Sequence, residues 1–134
     1  MGRKITAVIS GVAIGLLIIL ILRVVALSYF EFPEELEWFD PEDMATYFAS
    51  LPDSAFILLI SSHIVGAFLT SLIASLISIK NRFGMGIIAG AIIFVFIVVV
   101  NFTFEFPVLY LMIDTLLSAL AAFAGASFGQ GRDV

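Results

Sequence analysis

The chain has 134 residues, 62% of them hydrophobic and 13% charged, with a mean hydropathy of +1.19 and a net charge of −5. A typical soluble domain has about 25% charged residues, so a chain this apolar is expected in a bilayer. It has no cysteine. This excludes disulfides, thiol catalysis, iron–sulfur clusters, cysteine-ligated zinc and the small four-helix membrane enzymes that form disulfides.

The first predicted span covers about residues 5–30 and carries no charge from Ile5 to Leu22. It exceeds the about 20 apolar residues that a membrane helix needs. The basic start Met-Gly-Arg-Lys and the later Ala26-Leu27-Ser28 also resemble a secretory signal. The apolar run is longer than the about 7–15 residues usual in a signal, so we expect a retained span.

The acidic segment 31–53 follows on the outer side and contains a predicted short helix from Pro41 to about Ser50. Asp40 is its expected N-cap, with Pro41 at the first helical position and acids near the positive end of the dipole. An apolar stripe then recurs at helical spacing: Met44, Tyr47, Phe48 and Leu51. We therefore expect an amphipathic helix at the membrane interface, beside an aromatic belt formed by Phe30, Phe32, Trp38 and Phe39.

The acids of this segment are open to two interpretations. They can simply keep a short loop solvated, as charge runs usually do. Alternatively they bind cations weakly or dock a partner, although no calcium-loop spacing is present.

Three further spans are predicted at about residues 54–79, 84–104 and 107–128. These runs are continuous and not alternating, and lipid cannot satisfy open sheet edges, so they must be helices. The sequence therefore predicts one all-α domain over residues 1–134, an integral membrane four-helix bundle.

The basic residues define the orientation of the bundle. Arg3 and Lys4, Lys80 and Arg82, and Arg132 all fall on one face of a four-span chain. By the positive-inside rule that face is cytoplasmic. We expect a multi-pass protein of the bacterial inner (cytoplasmic) membrane with both termini in the cytoplasm.

Polar side chains at membrane depth are the main functional candidates, because ionisable groups are costly there. One comes from each span and all fall in the outer half: Arg23, His63, Asn101 and Asp114. In the structural interpretation Arg23 and Asp114 form an ion pair, and His63 bonds to a hydroxyl or a carbonyl. Arg23 could instead reach outward to the acids of the outer face. In the functional interpretation the cluster lines a polar cavity open to the outer side, with His63 titrating near neutral pH.

A short internal echo marks two acids at the outer mouth of the bundle. Residues 30–33 and 104–107 both read Phe-Glu-Phe-Pro, each after an odd-numbered span. If the echo is a repeat, its two halves are parallel hairpins, with Glu31 and Glu105 in equivalent places. Chance is the rival explanation in a chain with 14 Phe.

Small residues recur every four positions along the spans, as in Gly11–Gly15 and Gly86–Gly90. Such faces let helix backbones approach closely. We expect them to pack the bundle internally, with a homo-oligomer built on a leftover face as the alternative.

From Phe32 to Gly129 the chain resembles a widespread group of small, uncharacterised bacterial four-span membrane proteins. The residues that carry the resemblance are Asp-Pro-Glu-Asp-Met, Ala49 to Pro52, the run from His63 to Phe68, and Asn101 near the end of span three. Residues 104–107 depart from the Pro-aromatic stretch of that group, which often has an aromatic residue at the position of His63. The resemblance implies the four-span fold and no particular activity.

These observations favour a non-enzymatic bundle that binds a partner membrane protein or lipid, with no catalytic, cofactor or metal site and no nucleic-acid partner. The alternative is a small transporter or channel, although small multidrug transporters use a Glu in their first span, where this chain has Arg23. A membrane enzyme acting on lipid ranks last, because only His63 and Asp114 are available for it.

Overall fold

The computed structural model describes residues 2–131, and these form five α-helices without a strand. Four of the helices are long and apolar enough to cross a membrane. The helices are α1 (Gly2–Leu27), α2 (Pro41–Ser50), α3 (Asp53–Ile77), α4 (Arg82–Thr103) and α5 (Val108–Gly129).

The long helices match the predicted spans to within a few residues. The largest differences are at α1, which starts three residues earlier than predicted and ends at Leu27, three residues before Phe30. Beyond Leu27 the chain turns, with the Phe30 N–H donating to the Leu27 carbonyl and Ser28 Oγ donating to the Val25 carbonyl. Hydropathy alone misplaces this end because the residues of the turn are themselves apolar.

The short helix α2 has the predicted bounds and the predicted N-cap. Asp40 Oδ1 accepts hydrogen bonds from the backbone N–H groups of Glu42 and Asp43, at 2.9 and 3.0 Å. Asp43 Oδ2 in turn accepts from the Glu37 N–H at 2.8 Å, which fastens the preceding loop to the helix. These carboxylates therefore have a local structural role.

The apolar stripe of α2 covers one end of the bundle. Met44, Tyr47 and Phe48 are buried there, and the Phe56 and Phe106 rings pack against them. We call this the aromatic cluster. It closes the end of the bundle that carries the acids, here named the acidic end, and α2 is its outermost layer.

Helix α3 is the centre of the bundle and contacts each of the other three long helices. The small residues explain how. A side chain at Gly11 would meet the Thr70 carbonyl and Ala74 of α3. A side chain at Gly90 would meet α3 and also Ala122 of α5. The small faces of α1 and α4 thus both point toward α3, and the internal packing role predicted for them is what the structure has.

The opposite end of the bundle carries Arg3, Lys4, Lys80 and Arg82 and is named the basic end. Arg3 Nε donates to the Ile77 carbonyl at 3.5 Å, which joins the start of α1 to the end of α3. Both ends of the described chain lie here, as the predicted topology requires. Arg132, the remaining cation of that prediction, lies outside the described residues.

Candidate functional site

Three of the predicted polar side chains meet inside the bundle. Asp114 Oδ2 is 2.6 Å from His63 Nδ1 and 2.5 Å from Asn101 Nδ2. Ser118 Oγ donates to the other carboxylate oxygen, Oδ1, at 3.0 Å. We call His63, Asn101, Asp114 and Ser118 the polar cluster. It links α3, α4 and α5 through one carboxylate.

The geometry of the polar cluster suits an ionised Asp114. The Asn101 amide and the Ser118 hydroxyl both donate to it, and an ionised carboxylate is an acceptor only. His63 Nδ1 then carries the ring proton and donates as the third partner. A buried carboxylate with three donors has the partners that compensate for its burial.

Two polar atoms of the cluster have no hydrogen-bond partner among the described residues, His63 Nε2 and Asn101 Oδ1. Sequence reasoning placed His63 against a hydroxyl such as that of Ser62 or a carbonyl. That expectation is wrong, because His63 bonds to Asp114 and Ser62 Oγ donates to the Leu59 carbonyl instead.

The polar cluster is closed to the outside of the bundle. His63 is 1% exposed and Asn101, Asp114 and Ser118 are 0% exposed. Leu59, one turn before His63, packs against the aromatic cluster. Ala67, one turn after His63, packs in the apolar core with Ile97. The functional interpretation of the sequence expected a polar cavity open to the outer side. In this structure the cluster is closed, so that expectation is wrong.

Arg23 is the predicted site residue that the structure places elsewhere. Among residues 2–131 it forms an ion pair with neither Asp114 nor Glu31 nor Glu105. Its Cζ lies 5.3 Å from the centre of the Phe48 ring and 5.0 Å from that of Phe104. The sequence predicts how far along α1 Arg23 lies, but not which side of the helix its side chain is on. The structure places the guanidinium between α1 and α4.

A groove opens along the side of the bundle between α1 and α4, and sequence reasoning missed it. Its volume is about 750 Å³. One wall runs from Leu16 of α1 to Ser28 just beyond it, and Phe96 and Phe104 lie on the α4 side. Among the described residues that line the groove, Arg23 is the only charged one. The residues that line it are Leu16, Ile19, Leu20, Arg23, Val24, Leu27, Ser28, Phe30, Trp38, Phe39, Met44, Phe96, Val100 and Phe104.

The groove follows from the packing of the small residues. Because Gly11 and Gly90 face α3, the sides of α1 and α4 that face each other carry large residues such as Leu20 and Phe96. The two helices still contact each other, but bulky side chains limit how closely helices approach, whereas small ones let them close up. An apolar groove gives little sequence signal, since its residues look like any others that face lipid.

The two predicted mouth acids, Glu31 and Glu105, are both exposed at the acidic end. In each echoed segment the following Phe reaches the aromatic cluster, with Phe106 buried in it and Phe32 packed against it. The backbones differ, since Glu105 has a left-handed φ of 50° in the tight α4–α5 connection. The acids share an end of the bundle and do not line the groove.

Within the described part of the chain, no group of three or more His, Asp or Glu side chains is placed to hold a metal ion. The comparisons with known proteins add no function: no family model, no curated protein and no solved structure matches this chain. The functional argument therefore rests on the geometry of the polar cluster and the groove.

Proposed function

We propose that this chain is a multi-pass protein of the bacterial inner (cytoplasmic) membrane with both termini in the cytoplasm. Four helices long enough to span support this, as do the many large apolar side chains on their outer surfaces. Among residues 2–131, every cation except Arg23 lies at one end of the bundle and the exposed acids lie at the other, the pattern that the positive-inside rule describes. The resemblance to small bacterial four-span proteins points the same way.

The absence of cysteine makes the orientation easy to test, because any introduced cysteine is unique. Glu34→Cys at the acidic end should react with a membrane-impermeant maleimide in intact spheroplasts. Lys80→Cys at the basic end should react only after lysis. The reverse pattern would contradict the proposed orientation, and labelling of both without lysis would contradict membrane insertion.

Within the membrane, we propose that the protein binds lipid without catalysing a reaction, and that the α1/α4 groove is the binding site. The observation that carries this proposal is the apolar α1/α4 groove, which opens on the side of the bundle that would face the bilayer. Ligand sites are typically concave and mostly apolar, with a few placed polar groups. The groove has that composition, with Arg23 as the placed polar group.

A partner membrane protein is the other occupant that fits the sequence, and a second copy of the chain is a special case of it. A partner helix would lay side chains into the groove and would be retained as a subunit. A lipid would be retained as a small mass. Mass spectrometry of the intact protein distinguishes these occupants.

Transport is the alternative function, and the buried polar cluster is the observation that favours it. In the described part of the chain the side chains of the polar cluster are buried, and the aromatic cluster lies between them and the acidic end. Transport would therefore need α2 to move. In that case Asp114→Asn should abolish flux while the protein still folds, whereas the proposed function predicts a loss of stability and no flux to lose.

Native mass spectrometry after release from mild detergent tests the lipid proposal. Leu20→Trp fills the groove, while Ile21→Trp adds the same bulk on the same helix outside it; Leu20 and Ile21 are 58% and 51% exposed. We expect wild type and Ile21→Trp to retain one phospholipid per chain and Leu20→Trp to lose it. Equal retention by both variants, or a bare wild-type chain, would refute the proposal.

A further inference from the structure

The groove has a charge pattern along its length that narrows the class of lipid it would hold. Building on the proposed lipid binding, we propose that the α1/α4 groove holds one chain of a phospholipid whose headgroup joins a phosphate to a protonated amine. Arg23 binds the phosphate, and the acidic end of the bundle receives the amine.

Arg23 carries the phosphate assignment. It lies four residues before the end of α1, about 6 Å below that end at 1.5 Å per residue. Its guanidinium has five N–H donors in a planar fork. The Phe48 and Phe104 rings lie near the cation, but no oxygen among residues 2–131 accepts a hydrogen bond from it. A phosphate is the group whose geometry matches that fork.

The length of the groove carries the chain assignment. From Leu16 to Leu27, the end of α1, the helix rises about 17 Å. Half of a hydrocarbon core of about 30 Å is about 15 Å. The groove is thus about as long as one leaflet is thick. Arg23 lies about 6 Å below the end of α1 and about 10 Å above Leu16, so an acyl chain whose phosphate is held by Arg23 would run over the apolar residues below it.

The mouth of the groove favours a headgroup that ends in a protonated amine over one with a net negative charge. Its lining residues Phe30 and Trp38 adjoin Glu31 and Glu37 in the chain, and both acids are exposed. The acidic segment contains no Lys or Arg that would attract an anion. Phe39, 99% exposed at the same mouth, adds an aromatic face of the kind that attracts ammonium groups.

Competition among lipids with identical chains tests this assignment. The purified protein is equilibrated in mixed micelles with equal amounts of phosphatidylethanolamine, phosphatidylglycerol and diacylglycerol, and the retained lipid is identified by native mass spectrometry. We expect phosphatidylethanolamine to dominate and diacylglycerol, which lacks the phosphate, to be retained least.

Substitution of Arg23 identifies the group responsible. Arg23→Gln should retain phosphatidylethanolamine about tenfold less well, the size expected for losing a hydrogen bond to a charged group. Arg23→Lys should lose less, because it keeps the charge without the fork. Arg82→Gln removes a cation at the basic end, outside the groove, and should change nothing.

Glu31 and Glu37, the two acids next to the lining residues Phe30 and Trp38, give an independent test that leaves Arg23 in place. Glu31→Gln with Glu37→Gln should narrow the preference for phosphatidylethanolamine over phosphatidylglycerol, without lowering retention of phosphatidylglycerol. An unchanged preference would overturn the assignment of the amine.

The outcomes separate this inference from the function on which it rests. Equal retention of all three lipids, lost in Leu20→Trp, would refute the headgroup assignment and keep the groove as a lipid site. Retention of none would refute both. A dimer without lipid would make a second copy the occupant and would also refute both.

Discussion

The polar cluster and the α1/α4 groove are two regions built by opposite packing choices in one small bundle. Around Asp114 three helices meet closely, and three donors fill the space around one carboxylate. Between α1 and α4, which also contact each other, large apolar side chains line a groove with one cation on its wall. In the polar cluster the carboxylate has its hydrogen-bond partners inside the protein. In the groove the one charged side chain, Arg23, lines a space that a ligand could enter.

The comparison shows which of the polar residues on the long apolar helices is available to bind a ligand. His63 and Asp114 are conspicuous in the sequence, but they are buried and bond to each other inside the core through His63 Nδ1. Arg23 is the one that lines an open groove without an ion pair among the described residues. The position of a polar residue along an apolar helix therefore does not by itself separate a structural polar group from a binding group.

The largest expected effect comes from removing the carboxylate at the centre of the polar cluster. Asp114→Asn keeps the shape but places an amide against the donors of His63 and Asn101, and buried donors left without acceptors are costly. We expect a loss of about 2–4 kcal/mol in the free energy of unfolding. Unfolding in mixed detergent micelles measures it.

Glu34→Gln is the matched control, because it neutralises an exposed acid of the loop. It should change the unfolding free energy by less than about 0.5 kcal/mol. If Asp114→Asn were equally mild, the polar cluster would not be the closed structural element described above.

The next effect contrasts the two faces of α1. Gly15→Val would drive a side chain into Thr70 of α3 and should cost about 1–3 kcal/mol by overpacking. Leu20→Trp also enlarges a side chain, but this side chain faces the groove, so the free energy of unfolding should fall by less than about 0.5 kcal/mol. Similar losses in both variants would mean that the groove is as tightly filled as the α1–α3 interface.

A smaller effect distinguishes the two ring nitrogens of His63. His63→Leu removes a donor to Asp114 and should destabilise the bundle by about 1–2 kcal/mol. His63→Asn places an amide nitrogen near the position of Nδ1 and should recover part of that loss. If the two variants were equally unstable, the bond through Nδ1 would not be what His63 contributes.

The smallest effect concerns the α2 layer that covers the polar cluster. Burial raises the pKa of Tyr47, so the folded protein holds the phenol proton more tightly than the unfolded chain. The stabilisation is complete below the unfolded pKa of about 10 and is lost as the pH rises above it. We expect the fluorescence of Trp38, which packs beside Tyr47, to change in an alkaline titration.

Tyr47→Phe should remove that alkaline change, because no phenol remains to ionise. Tyr29→Phe should leave it intact, since Tyr29 is 74% exposed. An unchanged titration in Tyr47→Phe would show that another group controls the alkaline change.

The parts of the fold that local signals determine could be predicted from the sequence. Asp40 and Pro41 fix the start of α2, because capping depends on neighbours in the chain. The long helices follow from hydropathy, and only their ends were misplaced. The cost of polar groups in lipid predicts that His63, Asn101 and Asp114 face the interior, but their hydrogen-bond partners were not predicted, since His63 was expected to bond to a hydroxyl or a carbonyl in the structural interpretation.

The remainder depends on the angle of each helix about its own axis, which composition does not give. Arg23 was expected to pair with an acid because charge and depth suggested it. The structure turns it instead toward Phe48 and Phe104. The groove was missed for the same reason, since it follows from where α1 and α4 direct their small faces.

The most direct test of the account maps where lipid chains contact the protein. Phosphatidylethanolamine with a photoreactive group in its acyl chain is irradiated with the protein in vesicles, and the adducts are located by peptide mass spectrometry. If the groove binds lipid, the adducts should be concentrated on residues 16–28 and 96–104, and they should be depleted there in Leu20→Trp. Adducts spread evenly over these residues and the exposed face of α5 around Leu116 would contradict it.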